Sequence, residues 1–169
     1  MNYSGLSLCD LASGPGARVS LFVSGCTVRC PNCYNPEAWD FNYGKPFDDQ
    51  TKQKIIDRLK NDYIAGVSIL GGDPLEPENI ETVTEFCKQL KQLYPNKSIW
   101  LWTGRTKHKV ENLPIMQYID VVCSEPYVDK LKCNGHYYGS SNQKVWWAKT
   151  KQPYDDCNMI NKHSTKDWA

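Results

Sequence analysis

The sequence predicts an α/β fold with a mainly parallel sheet, wound as an incomplete (β/α) barrel. Two observations predict it. Short apolar, β-branched segments alternate with amphipathic ones of helical period, which is the order of βαβ units. The chain has 169 residues, whereas a complete eight-unit barrel typically needs about 250.

The elements follow in order. Residues 17–23 (Ala-Arg-Val-Ser-Leu-Phe-Val) are bounded by Gly14-Pro15-Gly16 and Gly25 and read as a buried strand. Residues 51–62 follow Asp48 and Asp49, either able to cap, and carry Ile55, Ile56 and Leu59 on one helical face. Residues 67–70 form a second strand, stopped by Gly71-Gly72. Ile80, Val83, Phe86, Cys87, Leu90 and Leu93 recur at intervals of three and four. They predict a helix over 77–93 that Pro95 ends. Residues 98–102 form a third strand, 107–117 a helix interrupted by Pro114, and 119–123 a fourth strand; 143–147 are a candidate for one more. The division expected is a domain over 1–150 and a polar tail over 151–169.

Net charge is +1, so no global field draws the chain to nucleic acid or to a membrane surface. A hydrophobic share of 40% with 12% aromatics excludes a disordered polar chain. No apolar run approaches the roughly 18–20 residues of a membrane span, and the first residues do not read as a signal peptide. A cytoplasmic location is expected, where thiols stay reduced. Eight cysteines then point to metal or catalysis rather than disulfides.

Cys26, Cys30 and Cys33 are spaced Cys-x3-Cys-x2-Cys in the loop after the first of these strands. Iron–sulfur clusters usually take four cysteines. Three close cysteines leave one iron open to a substrate or cofactor. Structural zinc is the alternative, and needs a fourth ligand from Cys9, Cys87, Cys123, Cys133, Cys157 or a histidine. Gly71-Gly72-Asp73-Pro74 follows the second strand. Its glycines let a ligand approach the backbone, and Asp73 could accept hydrogen bonds from an ammonium group; a plain tight turn is the other reading. Trp102-Thr103-Gly104 follows the third strand. Sites in parallel α/β folds gather at the carboxyl ends of strands, so these three loops should share one rim.

Together these segments resemble a known family. Cys26-x3-Cys30-x2-Cys33 is similar to the signature of radical S-adenosylmethionine (SAM) enzymes. The flanking segments are Asn2-Tyr3, Gly14-Pro15-Gly16-Ala17-Arg18, Leu21-Phe22-Val23-Ser24-Gly25-Cys26, Cys33-Tyr34-Asn35, Gly71-Gly72-Asp73-Pro74-Leu75, Ile99-Trp100-Leu101-Trp102-Thr103-Gly104 and Gly139-Ser140-Ser141-Asn142-Gln143. In that order and spacing they resemble the glycyl-radical-enzyme activases that serve the anaerobic ribonucleoside-triphosphate reductase. The resemblance implies a partial barrel of the radical SAM type. It implies that Cys26, Cys30 and Cys33 hold a [4Fe-4S] cluster whose fourth iron takes SAM. Asn32, Cys33 and Tyr34 would edge the SAM site, and Gly71, Gly72 and Asp73 would line its methionine amino end. Tyr34 is either packed by the adenine or a core aromatic. No catalytic residue is implied beyond these ligands. The implied chemistry is reductive SAM cleavage to methionine and a 5′-deoxyadenosyl radical, which takes a hydrogen atom from a glycine-bearing loop of the reductase. An electron donor such as a reduced flavodoxin is implied as well.

The chain departs from the family at identifiable places. Asn32 stands where many radical SAM proteins carry an aromatic. Ser124-Glu125-Pro126-Tyr127 stands where activases often show Asp-Gly, then Lys or Pro, then Phe. Two rival readings are a small-molecule radical SAM enzyme of the deazaguanine-forming type and a non-catalytic zinc-binding interaction module.

Overall fold

The fold is taken from a computed structural model that describes residues 1–154. Seven strands form one sheet: β1 (Asn2–Asp10), β2 (Ala17–Val23), β3 (Lys45–Pro46), β4 (Ile64–Gly71), β5 (Ser98–Trp102), β6 (Val121–Ser124) and β7 (Lys144–Trp147), in the order β3-β1-β2-β4-β5-β6-β7. Among the described residues there are three α-helices, α1 (Asp49–Leu59), α2 (Pro77–Leu93) and α3 (Lys107–Val110).

This corrects the expected architecture. The sheet is open and mixed, not a mainly parallel incomplete barrel. Only the central pairs β2–β4, β4–β5 and β5–β6 are parallel; β1–β2, β1–β3 and β6–β7 are antiparallel. The reason lies in the connections. Parallel neighbours need a crossover, and the helix-bearing segments between β2 and β6 supply them. β1 reaches β2 through a short turn and β7 returns to β6 without an α-helix, so both pair antiparallel. These additions flank the parallel core and leave β3 and β7 as the two edges.

The helices start and pack as their sequences dictate. Asp48 caps α1, its carboxylate accepting from the Thr51 N–H at 2.8 Å. Pro77 opens α2, where its missing N–H costs nothing. Pro114 splits the expected 107–117 helix into α3 and a 3-10 turn over Pro114–Gln117.

Alternation along the central strands separates two faces. Val19, Leu21, Val23, Val67, Ile69, Ile99 and Leu101 share the core with Ile55, Ile56 and Leu59 of α1 and Val83, Phe86, Cys87 and Leu90 of α2. The other face carries Trp100, Val121, Cys123 and Val145, packed with Tyr137 from the chain after β6. Arg18 is on that face and 0% exposed. Its guanidinium donates to Ser68 Oγ (2.7 Å), Ser98 Oγ (2.9 Å), and the carbonyls of Val67 (2.9 Å) and Ser98 (3.0 Å), fastening β2 to β4 and β5. Among the described residues no helix is long and apolar enough to cross a membrane.

Candidate functional site

A cavity of about 690 Å³ opens at the carboxyl ends of β2, β4 and β5. Cys26, Cys30, Asn32, Cys33 and Tyr34 line one side, Gly71 and Gly72 the floor, and Trp102, Thr103 and Gly104 the next side. The three loops singled out in the sequence therefore do share one rim. The mixed sheet leaves this intact, because β2, β4 and β5 are mutually parallel.

The cysteine loop is tied down through its backbone. Gly25 N–H donates to Ala38 O (2.8 Å), Cys26 N–H to Trp39 O (3.2 Å) and Cys33 N–H to Cys30 O (3.1 Å). Arg29 and Asn32 have φ of 49° and 58°. Asparagine tolerates that left-handed conformation better than an aromatic does, which gives a local reason for Asn32. Its side chain donates to Asp129 Oδ2 at 3.0 Å. Tyr34 is 77% exposed, which removes the core-aromatic reading and leaves its ring at the cavity.

Glu76 was not singled out in the sequence, yet it joins the loops. It is 1% exposed. One carboxylate oxygen accepts from both the N–H and the hydroxyl of Thr27 (2.7 and 2.8 Å), and the other pairs with Arg105 at 2.9 Å. An acidic residue just before the first proline of a helix was the one available signal. Asp73 is placed differently from its neighbours. Its carboxylate is 0% exposed and accepts from Leu75 N–H (2.9 Å), Thr103 Oγ1 (2.9 Å) and Gly104 N–H (3.1 Å). Burial pushes it up to about 6, against these hydrogen bonds and Arg105. Its side chain braces the β4 loop to the β5 loop.

The far side of the cavity comes from the chain after β6. Glu125, Tyr127, Asp129, Cys133, Gly139 and Gln143 line it. The Gly139-Ser140-Ser141-Asn142-Gln143 segment is a polar buttress. Gln143 accepts from Gly139 N–H (2.8 Å) and donates to Glu125 O (3.1 Å); Asn142 donates to Pro126 O (2.8 Å); Ser140 Oγ accepts from Val128 N–H (3.1 Å). Glu125 has φ of 83°, a conformation that favours glycine. Its carboxylate accepts from Lys107 N–H at 3.0 Å and pairs with Lys144 at 3.5 Å.

The donor set fits an iron–sulfur cluster. Cys26, Cys30 and Cys33 are free, half-buried thiols on one loop. Burial pushes the thiols of Cys26 and Cys30 up, and backbone N–H groups pull the other way: those of Arg29 and Val28 at Cys26, that of Tyr127 at Cys30. A metal would hold the thiolates deprotonated, and those N–H groups would stabilise them. Among the described residues, no three His, Cys, Asp or Glu side chains gather as a site for a single metal ion. A cluster asks for something else, its thiolates shared among several irons. Cys87 and Cys123 are buried core residues, as expected, and burial pushes Cys87 up to about 12. Cys9 is exposed and His136 stacks on Tyr138. Cys157, His163 and most of the expected tail lie outside the described residues.

Comparison with known proteins bears directly on this cavity. A family described as a 4Fe-4S single cluster domain matches residues 12–146. An anaerobic ribonucleoside-triphosphate reductase-activating protein of Enterobacteria phage T4 is 38% identical over 146 residues, covering 86% of this chain and 94% of its own. Those of Haemophilus influenzae (40% over 153 residues) and Escherichia coli K12 (37% over 150 residues) each cover 86% of this chain and 97% of their own. The chain belongs to this family of reductase-activating proteins. The match to the cluster domain takes in the cysteine loop, both glycines of the floor and the polar buttress. It supports an iron–sulfur cluster in this activating-protein homologue.

Proposed function

We propose that this chain activates an anaerobic ribonucleoside-triphosphate reductase by reductive cleavage of SAM at a [4Fe-4S] cluster, generating a glycyl radical on the reductase. The observation that carries the reading is the meeting of Cys26, Cys30 and Cys33 with the bare Gly71-Gly72 floor in one cavity. Its volume falls within the roughly 300–1,000 Å³ of small-molecule and cofactor sites.

When bound, the cluster and SAM supply one-electron carbon–sulfur cleavage and hydrogen-atom abstraction from a glycine; the electron comes from a donor such as a reduced flavodoxin. The chain binds and orients. Cys26, Cys30 and Cys33 would hold the cluster. Gly71 and Gly72 present a floor without side chains that would admit the amino end of SAM. Asn32, Cys33 and Tyr34 edge the site, with the Tyr34 ring available to the adenine. Asp73 contributes by bracing the floor to Thr103 and Gly104. Glu76 and Arg105 hold the cysteine loop to the same frame. Trp102, whose indole N–H donates to Tyr137 O at 2.8 Å, ties one wall of the cavity to the chain after β6. The cavity borders the sheet face away from α1 and α2, through Trp102 and Tyr137.

The test is anaerobic. The protein is reconstituted with iron and sulfide, reduced, given SAM and assayed for 5′-deoxyadenosine, then mixed with the reductase and examined by EPR for a glycyl radical. Product and radical are expected, and Cys30→Ala should abolish the cluster and both products together. A folded, iron-loaded protein that makes neither would overturn the reading. Zinc at one per chain would favour the interaction module.

A further inference from the structure

The cavity has a fourth cysteine that the proposed chemistry does not use. Cys133 lines it together with Cys26, Cys30 and Cys33. It is a free, half-buried thiol that comes from a different part of the chain, just after the 3-10 turn Asp129–Leu131. That segment is built rather than loose. Cys133 N–H donates to Gly139 O (3.1 Å), Ser141 N–H donates to Leu131 O (2.9 Å), and Lys132 and Ser140 form an antiparallel bridge.

The segment is also fastened to the cysteine loop. Asp129 accepts from Asn32 at 3.0 Å through one oxygen and from the Tyr127 hydroxyl at 2.9 Å through the other. Tyr127 lines the same cavity as Cys33 and Cys133. Cys133 therefore lines the same cavity as the triplet, on a segment that Asp129 ties to the triplet's own loop through Asn32.

We propose that Cys133 is a displaceable fourth ligand, its thiolate closing the open iron when SAM is absent. The inference rests on the function proposed above. Four cysteines are the usual complement of such a cluster, and three leave one iron exposed. On ligation the Cys133 thiol releases its proton to solvent. When the amino and carboxylate groups of SAM take the position, the thiolate leaves and regains a proton. No electron moves in either direction. The effect is to protect the resting cluster from iron loss without blocking turnover.

The experiment compares the full-length wild type with Cys133→Ala and, as the more conservative change, Cys133→Ser. All are reconstituted anaerobically, and metal content is measured first. Release of iron to a chelator and the EPR spectrum of the reduced cluster are then recorded with and without SAM. Without SAM, both variants should lose iron about 10-fold faster than wild type, as loss of a supporting group at a metal site typically does, and their spectra should differ from that of wild type. With SAM, rates and spectra should converge. Iron-loaded variants that match wild type without SAM would overturn the role of Cys133, leaving the proposed function untouched. A wild type that takes up zinc or no iron would overturn both, and its metal content distinguishes this result from the first.

Discussion

Gly71→Ala separates two reasons for a glycine at the floor of the cavity. The sequence suggests that Gly71-Gly72 lets a ligand approach the backbone. The structure supplies a reason that acts before any ligand arrives. Gly71 has φ of 109°, and a Cβ there would sit 2.6 Å from Val23 N, 2.7 Å from Phe22 C and 2.7 Å from Val23 O. Those atoms belong to β2, which is held by its ladders to β1 and β4 and by Gly72 N–H to Val23 O at 2.7 Å, so they cannot step aside cheaply. The unfavourable φ costs about 1–2 kcal/mol, and forced overlap in a packed site about 1–3 kcal/mol. The combined loss, roughly 3–4 kcal/mol, is a large part of the ~5–15 kcal/mol that holds a domain folded. Urea unfolding of the metal-free protein, followed by tryptophan fluorescence, should show the midpoint falling by roughly 2 M at an ordinary denaturant slope. Gly5→Ala is the control: its nearest neighbour is a Phe22 ring carbon at 3.5 Å, and its effect should stay within about 1 kcal/mol. A Gly71→Ala protein as stable as wild type, impaired only once SAM is added, would refute the packing argument and return the glycine to the ligand.

Two further outcomes follow from strained or buried groups. At Glu125, Ala removes the carboxylate that serves Lys107 and Lys144 while keeping the φ of 83°, whereas Gly relieves it. Glu125→Ala should lose about 1 kcal/mol, and Glu125→Gly should be more stable than Glu125→Ala by about 1 kcal/mol; equal unfolding midpoints would argue against strain. At Asp73, a folded value near 6 against an ordinary 3.8 means the folded protein keeps a proton that the unfolded chain has released. Stability from this group is full below its unfolded value and is lost as pH rises through about 6, by about 3 kcal/mol. Asp73→Asn cannot ionise, so the wild-type-minus-variant difference in urea midpoint should move against wild type between about pH 4 and about pH 7. A difference that stays constant would sink that account.

Much of the central frame was legible in the sequence. The segments 17–23, 67–70, 98–102 and 119–123 announce strands because both faces of these strands are covered. The helix over 77–93 matches α2 because its apolar residues keep to one stripe. β1 left no such mark. Its Asn-Tyr-Ser-Gly-Leu-Ser-Leu-Cys-Asp run is half-exposed, so neither face selects for apolar residues. Arg18 shows the same limit from the other side. A charged residue in an apolar strand gives no sign that it will be fully buried, because its partners come from β4, β5 and the turn before it. At the site, the cysteine triplet, the two glycines and Trp102-Thr103-Gly104 could be read from residue type and position. Glu76 and Asp129 could not, since each acts on residues distant in the chain, and Cys133 stood there only as one of several possible fourth ligands.

The sequence alone therefore determined the chemistry available: three thiols at cluster spacing, a floor without side chains, and a parallel arrangement of β2, β4 and β5 that brings them to one rim. These depend on local spacing and on short-range apolar pattern. Only the tertiary structure decided that the sheet is open and mixed, that Asp73 turns inward as a brace, and that Cys133 lines the same cavity as the triplet. Those outcomes depend on which distant backbone groups and side chains find one another. A buried carboxylate or a half-buried thiol takes its role from the partners that the fold places around it.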